Sequence, residues 1–245
     1  DGANIIIAAK SDKPHPKLPG TIFSVAKEIE NAGGRALPLK LDVRDEQAVI
    51  ETVNKAASHF DGLDILINNA SAIALTKTPD TPIRSFDLMH SVNVRGTFAC
   101  SKACLPYLVK SENPHILNLS PPLNMDPLWF RDHLAYTMSK YGMSMCVLGM
   151  AAEFRSKGVA VNALWPRTVI DTAAISMLGD VVKADNCRTP AIMADAAHEI
   201  LCRDSKTTTG NFFIDEDLLR TTGVRDFDPY AVKAGQPLMK DLFLD

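Results

Sequence analysis

The sequence has few aromatic residues and no apolar run of the roughly 18 residues that would indicate a membrane helix. Aromatics make up 7% and hydrophobic residues 46% of its 245 residues. We therefore expect no membrane span. The apolar residues are mostly small aliphatics, which is typical of α/β proteins with buried parallel strands, and the length suits one large domain.

The sequence also lacks a basic stripe and a cysteine framework. Its net charge is −3 and its pI is about 6.1, which disfavours nucleic acid as a partner. The five cysteines are an odd and scattered set, so we expect an intracellular, reducing compartment. Cys100 and Cys104 lie four apart in an apolar helical pattern, where buried packing is favoured over a metal or redox role. The histidines show no metal-ligand spacing, and no metal is predicted.

A third absence is a glycine-rich turn, which in dinucleotide-binding folds brings the backbone close to a pyrophosphate. The opening residues, Asp1 to Asn4, resemble the end of a first helix leading into a second strand. We expect a truncated N-terminus that lacks the first strand and helix. The alternative is a protein without a pyrophosphate site, whose sheet would be exposed where that strand should pair.

Apolar strand patterns alternate with amphipathic helix patterns along the chain. Predicted strands are Asn4–Ala9, Ala36–Leu41, Leu63–Ile67, Ile116–Leu119, Ala160–Ala163 and Asn211–Ile214. Predicted helices are Thr21–Ala32, Asp45–Phe60, Ser85–Val109 (one helix or two), Ala135–Phe154 and Ala191–Cys202. This order predicts an α/β fold, a doubly wound parallel sheet with helices on both faces, over residues 1–220. Residues 221–245 are predicted to be an irregular tail, acting as a lid or a linker.

Polar side chains follow several of the predicted strands. Lys10, Asp42, Asn69, Ser120 and Pro166 all lie at or just past a strand end. Parallel strands end at one edge of the sheet, and ligands bind there in open α/β folds. The sequence therefore predicts a binding site at this edge.

A tyrosine and a lysine, Tyr136 and Lys140, lie four residues apart in a predicted helix, which puts both on one face. A phenol is a poor base near neutrality, and a neighbouring cation lowers its pKa. The pair is a candidate general acid/base for a hydroxyl or carbonyl group. The alternative is a surface Tyr/Lys contact with no catalytic role.

Four ordered motifs resemble the short-chain dehydrogenase/reductase family, from about Asp1 to Asn211. They are Asp64-Ile-Leu-Ile-Asn-Asn-Ala70, Ser91-Val-Asn-Val-Arg-Gly96, His115-Ile-Leu-Asn-Leu-Ser120 and Tyr136-Thr-Met-Ser-Lys140. The resemblance implies a Rossmann-like fold, a nicotinamide cofactor, hydroxyl/carbonyl interconversion, and a homodimer or homotetramer.

The resemblance also implies catalytic roles. Tyr136 would donate or accept the substrate proton, and Lys140 would lower its pKa and bind the nicotinamide ribose. Asn93 would hold a water that relays protons through the lysine. Ser120 would polarise the substrate carbonyl, but an ungapped match puts Pro121 at the usual serine position. Another group could therefore take the role of Ser120.

For the cofactor, a basic residue after the second strand of the family implies NADP, and an acidic one implies NAD. Lys10 ends the strand here, and Lys13, His15 and Lys17 follow it, so NADP is expected, with NAD or a simple solvated loop as alternatives.

Three further positions match cofactor contacts of the family. Asp42 would bind the adenine amine, or would instead cap the helix that begins near Asp45. Asn69 and Ala70 would line the cofactor, and Pro166 would lie beside the nicotinamide.

Further unusual segments resemble one branch of the family, among them Leu119-Ser-Pro-Pro-Leu123 and Tyr141-Gly-Met-Ser-Met145. That branch implies a lipid-like substrate and a peroxisomal or mitochondrial location, with the cytoplasm otherwise. The alternatives are a reductase of small carbonyl compounds and a non-catalytic binding or scaffold protein. The missing glycines and the displaced serine favour the scaffold, whereas the intact Tyr136, Lys140 and Asn93 favour an enzyme.

Overall fold

Six parallel strands form the centre of the molecule. The structure, a computed structural model, describes residues 2–14, 20–176 and 182–244. The strands are β1 (Asn4–Ala9), β2 (Arg35–Lys40), β3 (Ile65–Asn68), β4 (His115–Asn118), β5 (Ala160–Trp165) and β6 (Phe212–Ile214). β1 pairs with β2, and a second sheet has the order β3-β4-β5-β6, with every pairing parallel.

A gap separates the two sheets. Within the described ranges no strand pairs with β3 on the side away from β4, or with β1 on the side away from β2. Ile5 of β1 and Ile65 and Ile67 of β3 are 39%, 42% and 46% exposed, although such side chains are usually buried in parallel sheets. The predicted parallel α/β architecture is confirmed, and the gap lies where its first strand was expected to be lacking.

Eight α-helices connect and cover the strands in the described part of the chain. They are α1 (Ile22–Asn31), α2 (Glu46–Phe60), α3 (Ile83–Met89), α4 (Thr97–Leu108), α5 (Leu134–Phe154), α6 (Ala173–Ser176), α7 (Ala191–Leu201) and α8 (Asp215–Thr221). Side-chain caps define the N-terminal ends of two of these helices, α1 and α2. Thr21 forms a capping box with Ser24, and Asp45 accepts from the amide of Ala48, each satisfying an otherwise unpaired amide.

Two apolar clusters lie on opposite sides of the larger sheet. One joins α2, α4 and α5 to the strands around Ile116 and Val161. The other joins α7 and α8 to Leu117 and Leu164, the alternate positions of β4 and β5. Since successive side chains of a strand point to opposite faces, this alternation shows that helices cover both faces, as predicted.

The stretch predicted as one long helix or two is divided by a π-helical segment, His90–Gly96, between α3 and α4. Asn93 lies within it and is fully buried. π-helical turns are rare and often occur at functional sites. Close packing holds the segment against α5, because a Cβ added at Gly142 would come within 2.5 Å of Val94 Cγ2.

After β6 the chain forms α8, which the sequence analysis missed, and then runs irregularly to its end. This last part contains a short 3₁₀ turn at Asp228–Tyr230 and isolated bridges, such as Thr168 to Lys240. It lies against the carboxyl edge of the larger sheet. Within the described residues no helix is both long enough and apolar enough to cross a membrane.

The glycine contact with the π-helical segment gives a test of the packing. Gly142→Ala should lower the free energy of unfolding by about 1–3 kcal/mol, because the stiff, branched Val94 leaves no room for a methyl group. Gly149→Ala is the matched control on the same helix, where an added Cβ meets nothing within 4 Å.

The control should raise the free energy of unfolding by roughly 0.5–1 kcal/mol through helix propensity. Urea unfolding of both variants checks the pair. Equal effects of the two substitutions would contradict this packing.

Candidate active site

Tyr136 and Lys140 lie together in the first turns of α5. The two side chains are 5% and 3% exposed, so the predicted shared face is a buried one and not a surface contact. It points towards the carboxyl ends of β4 and β5, where Leu119 follows β4 and Trp165 ends β5. The helix therefore brings both groups to the predicted edge of the sheet.

Lys140 is held by an oxygen, a sulfur and a ring. Its Nζ donates to the Leu119 carbonyl oxygen at 2.7 Å, lies 3.7 Å from Met143 Sδ and lies 5.1 Å from the Trp165 ring centroid. Burial lowers the pKa of Lys140 to about 8, and the nearby carboxylate of Asp241 opposes that shift. The ammonium group is therefore poised to titrate just above neutral pH.

The expected lowering of the Tyr136 pKa by Lys140 is not met in this structure. Burial raises the pKa of the phenol well above its ordinary value, and the negative charge of Asp241 raises it further. Desolvation disfavours the phenolate, and Phe243, whose ring centroid is 6.3 Å from that of Tyr136, contributes to the cover. In this arrangement the neutral phenol is favoured over the phenolate.

Asp241 is the acidic group of this site, and it comes from the irregular tail. Burial raises its pKa to about 7, while the Leu242 amide and Lys140 pull it down. The Asp241 amide donates to the Arg167 carbonyl oxygen at 3.1 Å, which fixes the tail just after β5. A lysine with a lowered pKa and an acid with a raised pKa thus share one buried region.

The Ser120 hydroxyl is fully buried and finds no hydrogen-bond partner among the described residues. An unpaired buried hydroxyl costs about 1–3 kcal/mol, which fits a group that a ligand completes. Pro121, which aligns with the usual serine, has no hydroxyl, and its carbonyl oxygen accepts from Ser144 Oγ at 2.6 Å. Ser120 is thus the hydroxyl that this strand end buries next to Leu119, the partner of Lys140.

The side chain of Asn93 is occupied in positioning other residues. Its Oδ1 accepts from the Ala72 amide at 2.7 Å, and its Nδ2 donates to the Ala72 carbonyl oxygen and to Ser139 Oγ, each at 2.9 Å. These bonds tie the π-helical segment to α5 and to the loop after β3. These bonds use both Nδ2 hydrogens and leave Oδ1 one further acceptor position.

Lys10 and Asp42 mark the other end of the carboxyl edge. Lys10 is exposed just after β1, and its charge is among those that lower the pKa of Asp42 to about 2, the largest cause being the Arg44 side-chain hydrogen bond. Asp45 caps α2, so the alternative role of Asp42 as that cap is wrong. His15 and Lys17 of the predicted basic loop lie outside the described residues, and Lys13 is exposed.

The remaining predicted cofactor positions differ in exposure. Asn69 and Ala70 follow β3 and are exposed, whereas Pro166 follows β5 and is buried. The edge is therefore open at its β1–β3 side and covered at its β5 side. The tail residues Asp241 to Leu244 provide that cover, with the Leu242 carbonyl oxygen accepting from Trp165 Nε1 at 2.9 Å.

Sequence reasoning missed Asp241, Phe243 and His133 as members of the site. The ring of His133 lies 6.4 Å from that of Tyr136, and its Nδ1 is 2.9 Å from Thr137 Oγ1. No periodic pattern marks the tail. The available signal was a short apolar run, Leu242-Phe243-Leu244, directly after the charged Lys240 and Asp241.

The cysteine pair is part of the core. Cys100 and Cys104 are buried among the residues of the first apolar cluster, and burial raises their pKa values to about 11 and about 12. Within the described ranges no group of three His, Cys, Asp or Glu side chains could hold a metal ion.

The raised pKa of Asp241 predicts a specific pH dependence of stability. An unfolded aspartate has a pKa of about 3.9, so between about pH 4 and 7 the folded protein holds a proton that the unfolded chain has lost. Stability contributed by this proton is lost as pH rises through that range. Asp241→Asn should therefore reduce the fall in unfolding free energy between pH 4.5 and 7, by on the order of 2 kcal/mol.

Urea unfolding at several pH values measures this difference, with the exposed Asp87→Asn as control. Parallel stability profiles for Asp241→Asn and the unchanged chain would contradict a half-buried Asp241 that holds its proton.

The family model for short chain dehydrogenase matches residues 2–180. Among curated relatives, hydroxysteroid dehydrogenase-like protein 2 of Danio rerio is 59% identical over 245 residues, and that of Rattus norvegicus is 60% identical. Each match covers 100% of this chain, but only 59% and 46% of those relatives. The branch resemblance seen in the sequence is confirmed, and the chain spans about half the length of these relatives.

Solved structures agree with the fold. A putative dehydrogenase from Xanthomonas campestris is 53% identical with a TM-score of 0.97, covering 100% of this chain and 90% of that one. A short chain dehydrogenase from Mycobacterium thermoresistibile is 48% identical with a TM-score of 0.94, covering 100% and 87%.

The ordered motifs, the parallel sheet with its polar carboxyl edge and the buried Tyr136/Lys140 pair are thus joined by a family match over most of the chain. This protein belongs to the short-chain dehydrogenase family.

Proposed function

We propose that the protein is an NADP(H)-dependent oxidoreductase that interconverts a hydroxyl and a carbonyl group on a lipid-like or small substrate. One observation carries the proposal. Tyr136 and Lys140 are buried together at the carboxyl edge, beside a strand end whose Ser120 hydroxyl is buried and unpaired. A scaffold gains nothing from burying an ammonium group and an unpaired hydroxyl, since both cost folding energy.

Tyr136 is the proton donor for carbonyl reduction and the acceptor for alcohol oxidation. Its raised pKa suits the donor role, so that the proton leaves only when an alkoxide oxygen develops beside it. Lys140, with a pKa lowered to about 8, stabilises the phenolate that then forms. Ser120 donates its hydroxyl hydrogen to the carbonyl oxygen and so satisfies its own unmet bond.

The open side of the edge suits the adenosine end of a dinucleotide. Lys10 is an exposed cation placed to pair with a 2′-phosphate, and the exposed Asn69 and Ala70 offer backbone groups. Asp42 is half-buried, and its carboxylate already accepts from Arg44. The adenine amine would donate to a lone pair of this carboxylate that Arg44 does not use. When bound, the nicotinamide would supply the hydride for carbonyl reduction or accept the hydride in alcohol oxidation.

In the reducing direction a ketone, NADPH and a proton give an alcohol and NADP⁺. The proton comes from Tyr136. The Lys140 ammonium group stabilises the resulting phenolate until solvent returns a proton to it. The names of the curated relatives refer to hydroxysteroids, which are apolar alcohols. This supports, for this chain, a substrate with an apolar body and one hydroxyl or carbonyl.

The second candidate is a non-catalytic binding protein of the same fold. The covered position of Tyr136 beneath the tail favours it, as does the replacement of the usual serine by Pro121. The two candidates differ in whether loss of the Tyr136 hydroxyl changes any rate.

Removal of that hydroxyl is the direct test of the catalytic role. Tyr136→Phe should lower NADPH-dependent carbonyl reduction by about 10²–10⁴-fold, the usual contribution of a positioned acid, while NADPH binding stays within about twofold. Tyr107→Phe is the matched control. It removes a hydroxyl near the end of α4 that donates to Asn54 on α2. Retained turnover in Tyr136→Phe would remove Tyr136 from the proposed role.

Cofactor preference tests Lys10. Lys10→Ala should weaken NADPH binding by roughly tenfold, because a charge-assisted bond to phosphate is worth about 1.5–3 kcal/mol, and should leave NADH binding unchanged. Cofactor fluorescence titrations measure both, with the exposed Lys27→Ala on α1 as control. Equal losses for the two cofactors would mean that Lys10 does not read the 2′-phosphate.

A further inference from the structure

The ring of Phe243 fills an aromatic chamber beside Tyr136. Phe243 is only 1% exposed, although it lies in an irregular stretch outside the helices and strands. Five rings surround it, with centroid distances between 5.3 Å and 6.3 Å: Trp129, His133, Tyr136, Tyr141 and Trp165. We call this set of five residues the aromatic chamber.

The chamber is built by the domain and not by the tail. Trp129 and His133 lie just before α5, Tyr136 and Tyr141 lie on α5, and Trp165 ends β5. Bonds outside the tail hold these walls, including those from Thr137 Oγ1 to the Trp129 carbonyl oxygen and from Tyr141 Oη to the Asn124 carbonyl oxygen. These bonds of Trp129 and Tyr141 do not involve the tail, whereas Trp165 also donates its Nε1 hydrogen to the Leu242 carbonyl oxygen.

The tail holds Phe243 in a strained backbone conformation. Its φ is +72°, in the left-handed region that a bulky side chain seldom adopts. Burial of the ring offsets that strain, so the net preference for the docked position is smaller than the burial alone would give. Nearby, the Met239 amide donates to the Asn186 carbonyl oxygen and its carbonyl oxygen accepts from the Val169 amide, while the Asp241 amide donates to the Arg167 carbonyl oxygen.

The chamber opens onto the reacting groups. Tyr136 is itself one of the walls, and Trp165 is also the ring over which Lys140 Nζ lies, at 5.1 Å. A molecule whose apolar ring replaced that of Phe243 would carry its next atoms towards the Tyr136 and Lys140 side chains. Apolar walls with a few convergent polar groups are the usual form of a small-molecule site.

We propose that the aromatic chamber is the subsite for an apolar group, of about the size of a benzene ring, attached to the substrate's carbonyl or carbinol carbon, and that Phe243 occupies it in competition with substrate. This inference rests on the proposed function and names its substrate class, an aryl or comparably bulky apolar ketone or its alcohol. Phe243 thereby sets which substrates enter, since each must replace its ring.

The two tryptophans of the chain are both chamber walls, which makes the test direct. The full chain is labelled with 5-fluorotryptophan and titrated with acetophenone and, separately, with ethylbenzene, which lacks the carbonyl. Fluorine NMR then reports two resonances, both from the chamber. Saturable shifts of both resonances are expected with either probe.

Phe243→Ala should bind acetophenone with a Kd lower by at least about tenfold, because no ring has to be displaced. Phe243→Leu, which fills the space in part, should fall between that variant and the unchanged chain. Phe227→Ala is the matched control, because it removes a buried ring from the apolar cluster around α7 and α8. Its Kd for acetophenone should equal that of the unchanged chain.

Resonances that stay still at saturating probe, or equal Kd values for Phe243→Ala and the unchanged chain, would overturn the proposal. If Phe243→Ala does not fold, the titration of the unchanged chain and Phe243→Leu still decides it. Fluorine shifts without NADPH-dependent turnover of any ketone would leave the subsite standing and refute the proposed function. Turnover whose KM is unaffected in Phe243→Ala would refute the subsite and leave the function standing.

Discussion

The burial of the Lys140 ammonium group is the constraint on which the site depends. Removing a charge from water costs several kcal/mol, even after the protein relaxes, and lysine is almost never buried without partners. Here the partners come from separate parts of the chain: the Leu119 carbonyl oxygen after β4, the Trp165 ring at the end of β5 and the charge of Asp241 in the tail. A change at any of them alters the lysine that the chemistry needs.

The same constraint links the tail to the chemistry. Asp241 brings a negative charge near Lys140 and Tyr136. This charge opposes the lowering of the Lys140 pKa by burial and adds to the raising of the Tyr136 pKa. Phe243 covers the tyrosine ring. Release of the tail would remove the charge and the cover together. Under the proposed function, substrate entry and the pKa of Tyr136 would then change together, because both depend on residues Asp241 to Phe243.

Local patterns in the sequence were enough to predict most of the fold. Strand β1 begins and ends where its apolar run does, and α2 begins after the cap at Asp45. The gathering of Lys10, Asn69 and Ser120 at one edge follows from parallel topology alone. These features depend on hydrophobic periodicity and on the order of strands and helices, and both can be read from local sequence.

What could not be predicted depends on contacts between distant segments. The pKa of Tyr136 is raised first by burial and then by the charge of Asp241, more than a hundred positions away, and no pattern marks Phe243 as a buried ring. The sequence left open whether Ser85–Val109 forms one helix or two, and the π-helical segment His90–Gly96 that divides it carries the Asn93 bonds to Ala72 and Ser139. Such effects arise from tertiary packing, which overrides local preference.

The central proposal is that a nicotinamide cofactor bound at this edge gives a hydride to a carbonyl carbon, with Tyr136 giving the proton. The most direct measurement is to incubate the protein with NADPH deuterated at both C4 positions and with acetophenone, and to weigh the 1-phenylethanol by mass spectrometry. The account predicts an alcohol that carries one deuterium on its carbinol carbon. Binding of both compounds without any deuterated alcohol would contradict it and favour the non-catalytic alternative.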